Sequence, residues 1–241
     1  AEGMPRWAPS RVRLGRHDAA PVGRWAGPIS GITWTEHVAI LDQACLEPGV
    51  AKNTDRTGSC VLLQTGAKRV ESGTGMLTTI AWLRGGTLSY ALEGAIFVTG
   101  AALQWLRDGL GLIQSAAEAG PLAQSVPDSG GVYLVPAFTG LGAPYWDPYA
   151  RGTIVGLTRG SSRAHLVRAA VEATPYQTYD VGAAMAADVR PPIRGPRVDG
   201  GPEQTAAACP LPARPTRMPV PRPRPAAGSG GRSRGPGWRR S

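Results

Sequence analysis

The chain has 241 residues, 42% of them hydrophobic, enough to bury one large core or two small ones. Its formal net charge of +9 sits in the tail: from Pro191 to Ser241 ten Arg stand against Asp199 and Glu203, giving +8 and leaving +1 for residues 1–190. That location gives no support to a basic face for specific nucleic-acid reading, and no run reaches the roughly 18 apolar residues of a membrane span.

In chain order, residues 1–28 show no periodicity and read as an irregular lead-in. Their basic residues precede no apolar stretch, so they make no secretory leader, and the missing initiator Met suggests a chain that starts mid-protein. Ile29 to Gln43 passes from a short strand into a helix, with Thr33 or Thr35 as cap and His37 on a solvated face. Val61 to Leu63 reads as an apolar strand, with Cys60 before it as a small core residue. Leu77 to Trp82 reads as a strand, Gly85–Gly86 as a turn, and Thr87 to Ala91 as the returning strand of a hairpin. Glu93 to Leu110 carries Ile96, Leu103, Leu106 and Leu110 at helical spacing, and Trp105 belongs to the core.

Val132 to Phe138 is an apolar run between Gly-Gly and Thr-Gly, the pattern of a buried strand. A glycine- and proline-punctuated loop, Thr139 to Arg151, carries Tyr145, Trp146 and Asp147, and Thr153 to Leu157 is a second short strand. Ser161 or Ser162 then caps a long helix, Arg163 to Ala187, with Leu166, Val167, Ala170 and Val171 facing the core. Pro175 in its interior costs about 3 kcal/mol and predicts a kink. From Pro202 the pattern fails. Twelve of the 23 prolines lie between Pro191 and Ser241, so a disordered tail is expected at 202–241. Its Ala/Pro/Arg/Gly composition is that of a shifted frame through GC-rich DNA. Cys45, Cys60 and Cys209, odd in number and far apart, form no disulfide framework and fit a reducing cytoplasm.

The segment PAFTGLGAPYWDPYARGTIVGLTRG, Pro136 to Gly160, resembles the signature of the glycerol kinases of the FGGY family of carbohydrate kinases. The resemblance runs from about Ile29 to Gly201 and more faintly to Pro223. It implies an α/β fold, the ribonuclease-H-like, actin-like lobe that forms the C-terminal domain of these kinases, spanning 29–201 and incomplete. Segments of the first lobe, which holds most of the glycerol contacts, are not recognised. The implied activity is transfer of the γ-phosphoryl group of Mg-ATP to glycerol, giving glycerol 3-phosphate, in the cytoplasm and with homo-oligomerisation open.

Residue by residue, the resemblance puts a phosphate-side turn at KNTDRTG, with Thr57 and Gly58 in the expected places and Arg56 replacing a glycine. Gly58 would allow close approach and positive φ. In EGAIFVTGAALQWLRD it puts Gly100 and Gln104 in the nucleotide cleft, one helical turn apart. In RVDGG it puts Gly201 on an adenine-side loop, with Thr205 where an asparagine is usual. The general base, an aspartate in the family, falls on Thr35, which cannot serve; Glu36 is the nearest carboxylate, about 100° around the helix. No catalytic residue and no metal ligand is therefore assigned. The expected activity of the isolated chain is nil. The alternatives are a non-catalytic lobe that binds nucleotide or pairs with a kinase subunit, and a binding protein that uses its basic tail.

Overall fold

The alternating segments between residues 51 and 96 fold into two antiparallel hairpins that share one sheet. The computed structural model describes residues 45–84 and 86–189, together with 15–16, 28–29, 40, 193 and 196–200. In the lead-in, β1 (Gly15–Arg16) pairs with β2 (Pro28–Ile29), where the sequence reads as irregular because two-residue strands carry no period. β3 (Ala51–Asp55) turns into β4 (Ser59–Gly66), and β5 (Leu77–Arg84) into β6 (Thr87–Ile96), with Arg84 paired to Thr87 across the expected two-residue loop. β9 (Pro196–Gly200) completes the sheet parallel to β3, in the order β5-β6-β4-β3-β9.

One sheet face carries Val61, Leu63, Leu92 and Ile96 against Met76 and against Val181 and Met185 of a long helix. The other carries Leu62, Ala81 and Ala91 against Ile40 and Cys45, with Cys60 packed on their edge as read from the sequence. β3, AKNTD, is buried throughout despite its polarity. Its polar groups bond along the strand: Lys52 Nζ donates to Thr54 Oγ1 at 2.7 Å and Asn53 Nδ2 to Asp55 Oδ1 at 2.9 Å.

The second core lies beside the sheet, among α1 (Gly100–Asp108), α2 (Ala116–Gln124), the hairpin β7 (Tyr133–Val135) with β8 (Thr153–Val155), and α3 (Arg163–Asp188). Here the structure corrects three expectations. Glu93 to Ile96 belongs to strand β6, paired with β4 and β5, so the helix starts only at Gly100. The strand expected over Val132 to Phe138 is three residues long, and only Leu134 of it is buried, Tyr133 and Val135 being 51% and 41% exposed, because one face of this two-stranded sheet is covered. The strand expected over Thr153 to Leu157 stops at Val155, before Gly156 takes φ +81°.

α3 joins the two cores. Ser162 begins it, in a reciprocal box with His165. Val167, Ala170 and Val171 pack in the second core, while Val181 and Met185 pack on the sheet, and the helix continues through Pro175 between them. An ion pair lies inside its first half. Arg168 Nε donates to Glu172 Oε1 at 2.7 Å, both side chains at most 4% exposed, and Arg168 Nη1 donates to the carbonyls of Ala123 and Val126 at the end of α2.

At the other end of α3, Asp188 clasps the loop before β5. Its carboxylate accepts from Thr74 Oγ1 at 2.6 Å, from Gly73 N at 3.0 Å and from the Ser72 hydroxyl. Burial pushes this carboxyl up, but the hydrogen bonds from Ser72, Thr74 and Gly73 outweigh it and hold it below the ordinary carboxylate range. A carboxyl depressed in the folded state stabilises the fold above its unfolded pKa of about 3.9, and loses that contribution as pH falls through the folded value. Asp188→Asn is therefore expected to melt below the wild type at neutral pH, with the gap closing below about pH 4. A gap that is constant with pH in thermal melts would sink this account.

Candidate functional site

The β3–β4 turn, the carboxyl end of β6 and the start of α1 meet at one end of the main sheet. Asp55 pairs with Ser59, leaving Arg56, Thr57 and Gly58 as the loop, and Arg56 N–H closes it by donating to the Gly58 carbonyl at 2.8 Å. Arg56 is exposed and the turn closes with it in the glycine's place. Gly58 is needed for a reason the sequence does not give. Its φ is not positive, and a Cβ there would stand 2.5 Å from the Ile96 carbonyl oxygen and 2.8 Å from that of Phe97. The close approach is to the chain's own backbone.

The turn caps the helix. Thr99 N–H and Ala101 N–H both donate to the Thr57 carbonyl at 3.0 Å, and Gly100 N–H donates to the Arg56 carbonyl at 3.0 Å. These are the donors that a helix leaves unpaired in its first turn. Thr57 itself is exposed, and its hydroxyl has no partner among the described residues. Gly100 opens α1, and Gln104 follows one turn later, exposed on the side away from the buried Ala102, Leu103 and Leu106. Trp105 is half-buried, its ring centroid 4.9 Å from that of Phe138, as a core residue should be.

β9 arrives at the same end, with Gly200 in register with Asp55. The segment read as an adenine-side loop is thus an edge strand over its first residues, because RVDG pairs with β3. Gly201, Thr35, Glu36 and His37 lie outside the described residues, as does the tail from residue 202. Thr57, Gly58, Gly100 and Gln104 are brought together; the remainder of the assignment is not described.

The buried polar residues under the turn carry no periodic signal in the sequence. Asp55, Ser59 and Thr99 are 3%, 5% and 1% exposed. Ser59 donates to Asp55 Oδ1 and lies 3.1 Å from Thr99 Oγ1, which donates to the Arg56 carbonyl at 3.3 Å. A threonine just before an apolar-periodic helix was the available signal.

The signature loop serves a different role from the turn: it braces the lobe. Ala143 N–H donates to the Ala95 carbonyl at 2.9 Å, Trp146 Nε1 donates to the Gly75 carbonyl, and Tyr145 O–H donates to Asp180 of α3 at 3.0 Å. Burial, reinforced by the hydrogen bond to Asp180 and its charge, pushes the Tyr145 phenol up. Asp147 turns the loop by accepting from Tyr149 N–H and Ala150 N–H at 2.8 and 3.1 Å.

Among the described residues, no three His, Cys, Asp or Glu gather as a metal cage. Magnesium carried on nucleotide phosphates needs no such cage, since it keeps waters and takes one or two carboxylates. No helix among them is long and apolar enough to cross a membrane.

Known proteins are similar to this chain in sequence and in fold. The C-terminal domain of the FGGY family of carbohydrate kinases matches residues 56–231. A glycerol kinase of Carboxydothermus hydrogenoformans is 55% identical over 198 residues, which is 82% of this chain and 40% of that protein. The glycerol kinase of Plasmodium falciparum, solved with ADP, superposes with a TM-score of 0.68 at 35% identity, over 74% of this chain and 36% of that one. A xylulose kinase from Rhodospirillum rubrum shares the fold, with a TM-score of 0.64 at 24% identity over 83% of this chain and 41% of that one. The chain thus spans about 40% of the length of the curated relatives it matches. A match over more than half the chain, on an α/β lobe whose turn and helix meet as described, means that this chain belongs to the FGGY family of carbohydrate kinases, through its C-terminal domain.

Proposed function

We propose that this chain is the nucleotide-side lobe of a cytoplasmic kinase that transfers the γ-phosphoryl group of Mg-ATP to a glycerol hydroxyl, and that the lobe holds nucleotide without turning glycerol over by itself. The observation that carries this reading is the junction of turn and helix. It sets an exposed threonine hydroxyl, Thr57, beside the start of the helix that bears Gly100 and Gln104. An exposed hydroxyl suits a phosphate oxygen, and an exposed amide one helical turn along α1 suits a polar edge of the same ligand. Such transfer depends on positioning and charge neutralisation, so a lobe that only positions is a meaningful part of it. ADP was bound in the Plasmodium falciparum relative, and the glycerol kinases named above act on glycerol by their names.

Thr35, at the position where the family carries its base, favours a second reading: a lobe that binds nucleotide or pairs with a kinase subunit and takes no part in proton transfer. Calorimetric titration of the full chain with Mg-ADP separates these from a lobe that binds nothing. Binding is expected, weakened about tenfold by Thr57→Ala or Gln104→Ala, the loss of roughly one hydrogen bond to a charged or polar group. Incubation with Mg-ATP and glycerol is expected to give no glycerol 3-phosphate. Absence of Mg-ADP binding would refute the first reading and leave the second only as subunit pairing, and turnover by the chain alone would refute the second and correct the first.

A further inference from the structure

The geometry points to Asp55, Ser59 and Thr99 as positioning residues that lock the β3–β4 turn onto the start of α1 and so fix Thr57 relative to Gly100 and Gln104. The inference rests on the nucleotide reading proposed above.

Thr99 occupies the position before a helix where a threonine hydroxyl ordinarily bonds back to the first-turn N–H groups. Here it makes no such bond. The hydroxyl turns the other way, to the Arg56 carbonyl at 3.3 Å and to within 3.1 Å of Ser59 Oγ. The N–H groups of Gly100 and Ala101 go instead to the turn's own carbonyls, and that of Ala102 to the Thr99 carbonyl. Turn and helix thus cap each other.

Ser59 links this arrangement to a buried carboxyl group. Asp55 Oδ1 accepts hydrogen bonds from both the Ser59 hydroxyl and the Asn53 side-chain amide. Asp55 and Ser59 are also the closing pair of the hairpin, so the side-chain bond fixes the two ends of the three-residue loop. Beneath the loop, Gly58 rests against the end of β6 with no room for a Cβ. The loop is held from both sides. The side chains of Arg56 and Thr57 are the exposed ones of the loop, and of these Thr57 carries the hydroxyl.

This arrangement also occupies the donors at the helix start. A helix start with open N–H groups is a general anion site. With Thr99, Gly100 and Ala101 already donating to Arg56 and Thr57 carbonyls, a phosphate at this junction is recognised through Thr57 and not through the helix end. Affinity therefore depends on where the turn sits.

The test uses the full chain in four forms: wild type, Thr99→Val, Thr99→Ser and Ser59→Ala. Hydrogen exchange of the Thr99, Gly100 and Ala101 amides reads the clamp without ligand, with the Leu63 amide in the main sheet as the fold control. Thr99→Val and Ser59→Ala are expected to speed exchange at the three junction amides at least tenfold and to leave Leu63 within twofold, while Thr99→Ser stays at the wild-type rate. Titration with Mg-ADP reads the consequence: at least fivefold weaker binding for Thr99→Val and Ser59→Ala, and wild-type binding for Thr99→Ser. Unchanged junction exchange overturns the clamp. Faster exchange with unchanged Mg-ADP affinity overturns the positioning role while leaving the nucleotide reading intact. A wild type that does not bind Mg-ADP removes the nucleotide reading itself, and the positioning role with it.

Discussion

Glu172→Ala is expected to cost the lobe about 3–5 kcal/mol, the cost of leaving a buried charge without its partner. Arg168 and Glu172 face each other one turn apart on α3 at 4% and 3% exposure, and Arg168 also donates to two carbonyls at the end of α2. Removing the carboxylate leaves the guanidinium buried with only those neutral carbonyls and whatever else surrounds it. The thermal midpoint should fall by roughly 6–20 °C for a chain of this size. Arg168→Met combined with Glu172→Leu should recover most of the loss, because well-packed apolar replacements of a buried pair are often neutral. A Glu172→Ala loss below about 1 kcal/mol, the level of a surface pair, would show that water reaches this site.

Gly142→Ala is expected to cost about 3 kcal/mol, at the upper end of what overpacking usually does. A Cβ at residue 142 would lie 2.1 Å from the Ala95 carbonyl oxygen, a backbone atom near the end of β6 that pairing with Cys60 of β4 holds in place. Either the signature loop lifts or β6 bends. Lifting would break the Ala143–Ala95 hydrogen bond and loosen the Trp146 and Tyr145 contacts to Gly75 and Asp180. Thermal melts and the rate of protease cleavage within residues 139–151 read the two effects together. Gly160→Ala is the control: its nearest neighbour, Thr158 Oγ1, would be 3.6 Å away, an ordinary contact. Equal melting of the two variants would mean that the loop is not seated on β6.

Strands, hairpins and the long helix are legible in the sequence where period and punctuation agree, as at Gly85–Gly86 and at Ser162 before α3. They are misread where one apolar series crosses an element boundary. Ile96 falls in helical phase with Leu103 and Leu106, yet Ile96 ends a strand and only the other two are helical, because pairing with β4 fixes the backbone up to residue 96. α2 gives almost no signal, since its buried residues are Ala119, Gly120 and Ala123, too small to mark a face. Buried charge is also invisible to periodicity. Lys52, Asp55, Arg168 and Glu172 look like solvated residues, and only their three-dimensional partners make them interior. At the candidate site, Thr57, Gly58, Gly100 and Gln104 come from resemblance, while Asp55, Ser59 and Thr99 emerge from the fold.

The pairing of β3 with β9 has a consequence for the chain's birth. Ala51 takes Pro196 as its partner, so 145 residues must be added after the first strand is made before its second edge is covered. At ribosomal speeds of about 5–20 residues per second, that edge waits roughly 7–30 s. An open edge of that age invites pairing with other nascent chains. β3 meets the hazard with its composition: AKNTD has a lysine, an asparagine and an aspartate where a hydrophobic strand would be sticky. The polarity that looks misplaced in the finished core protects the edge while the chain is still being made.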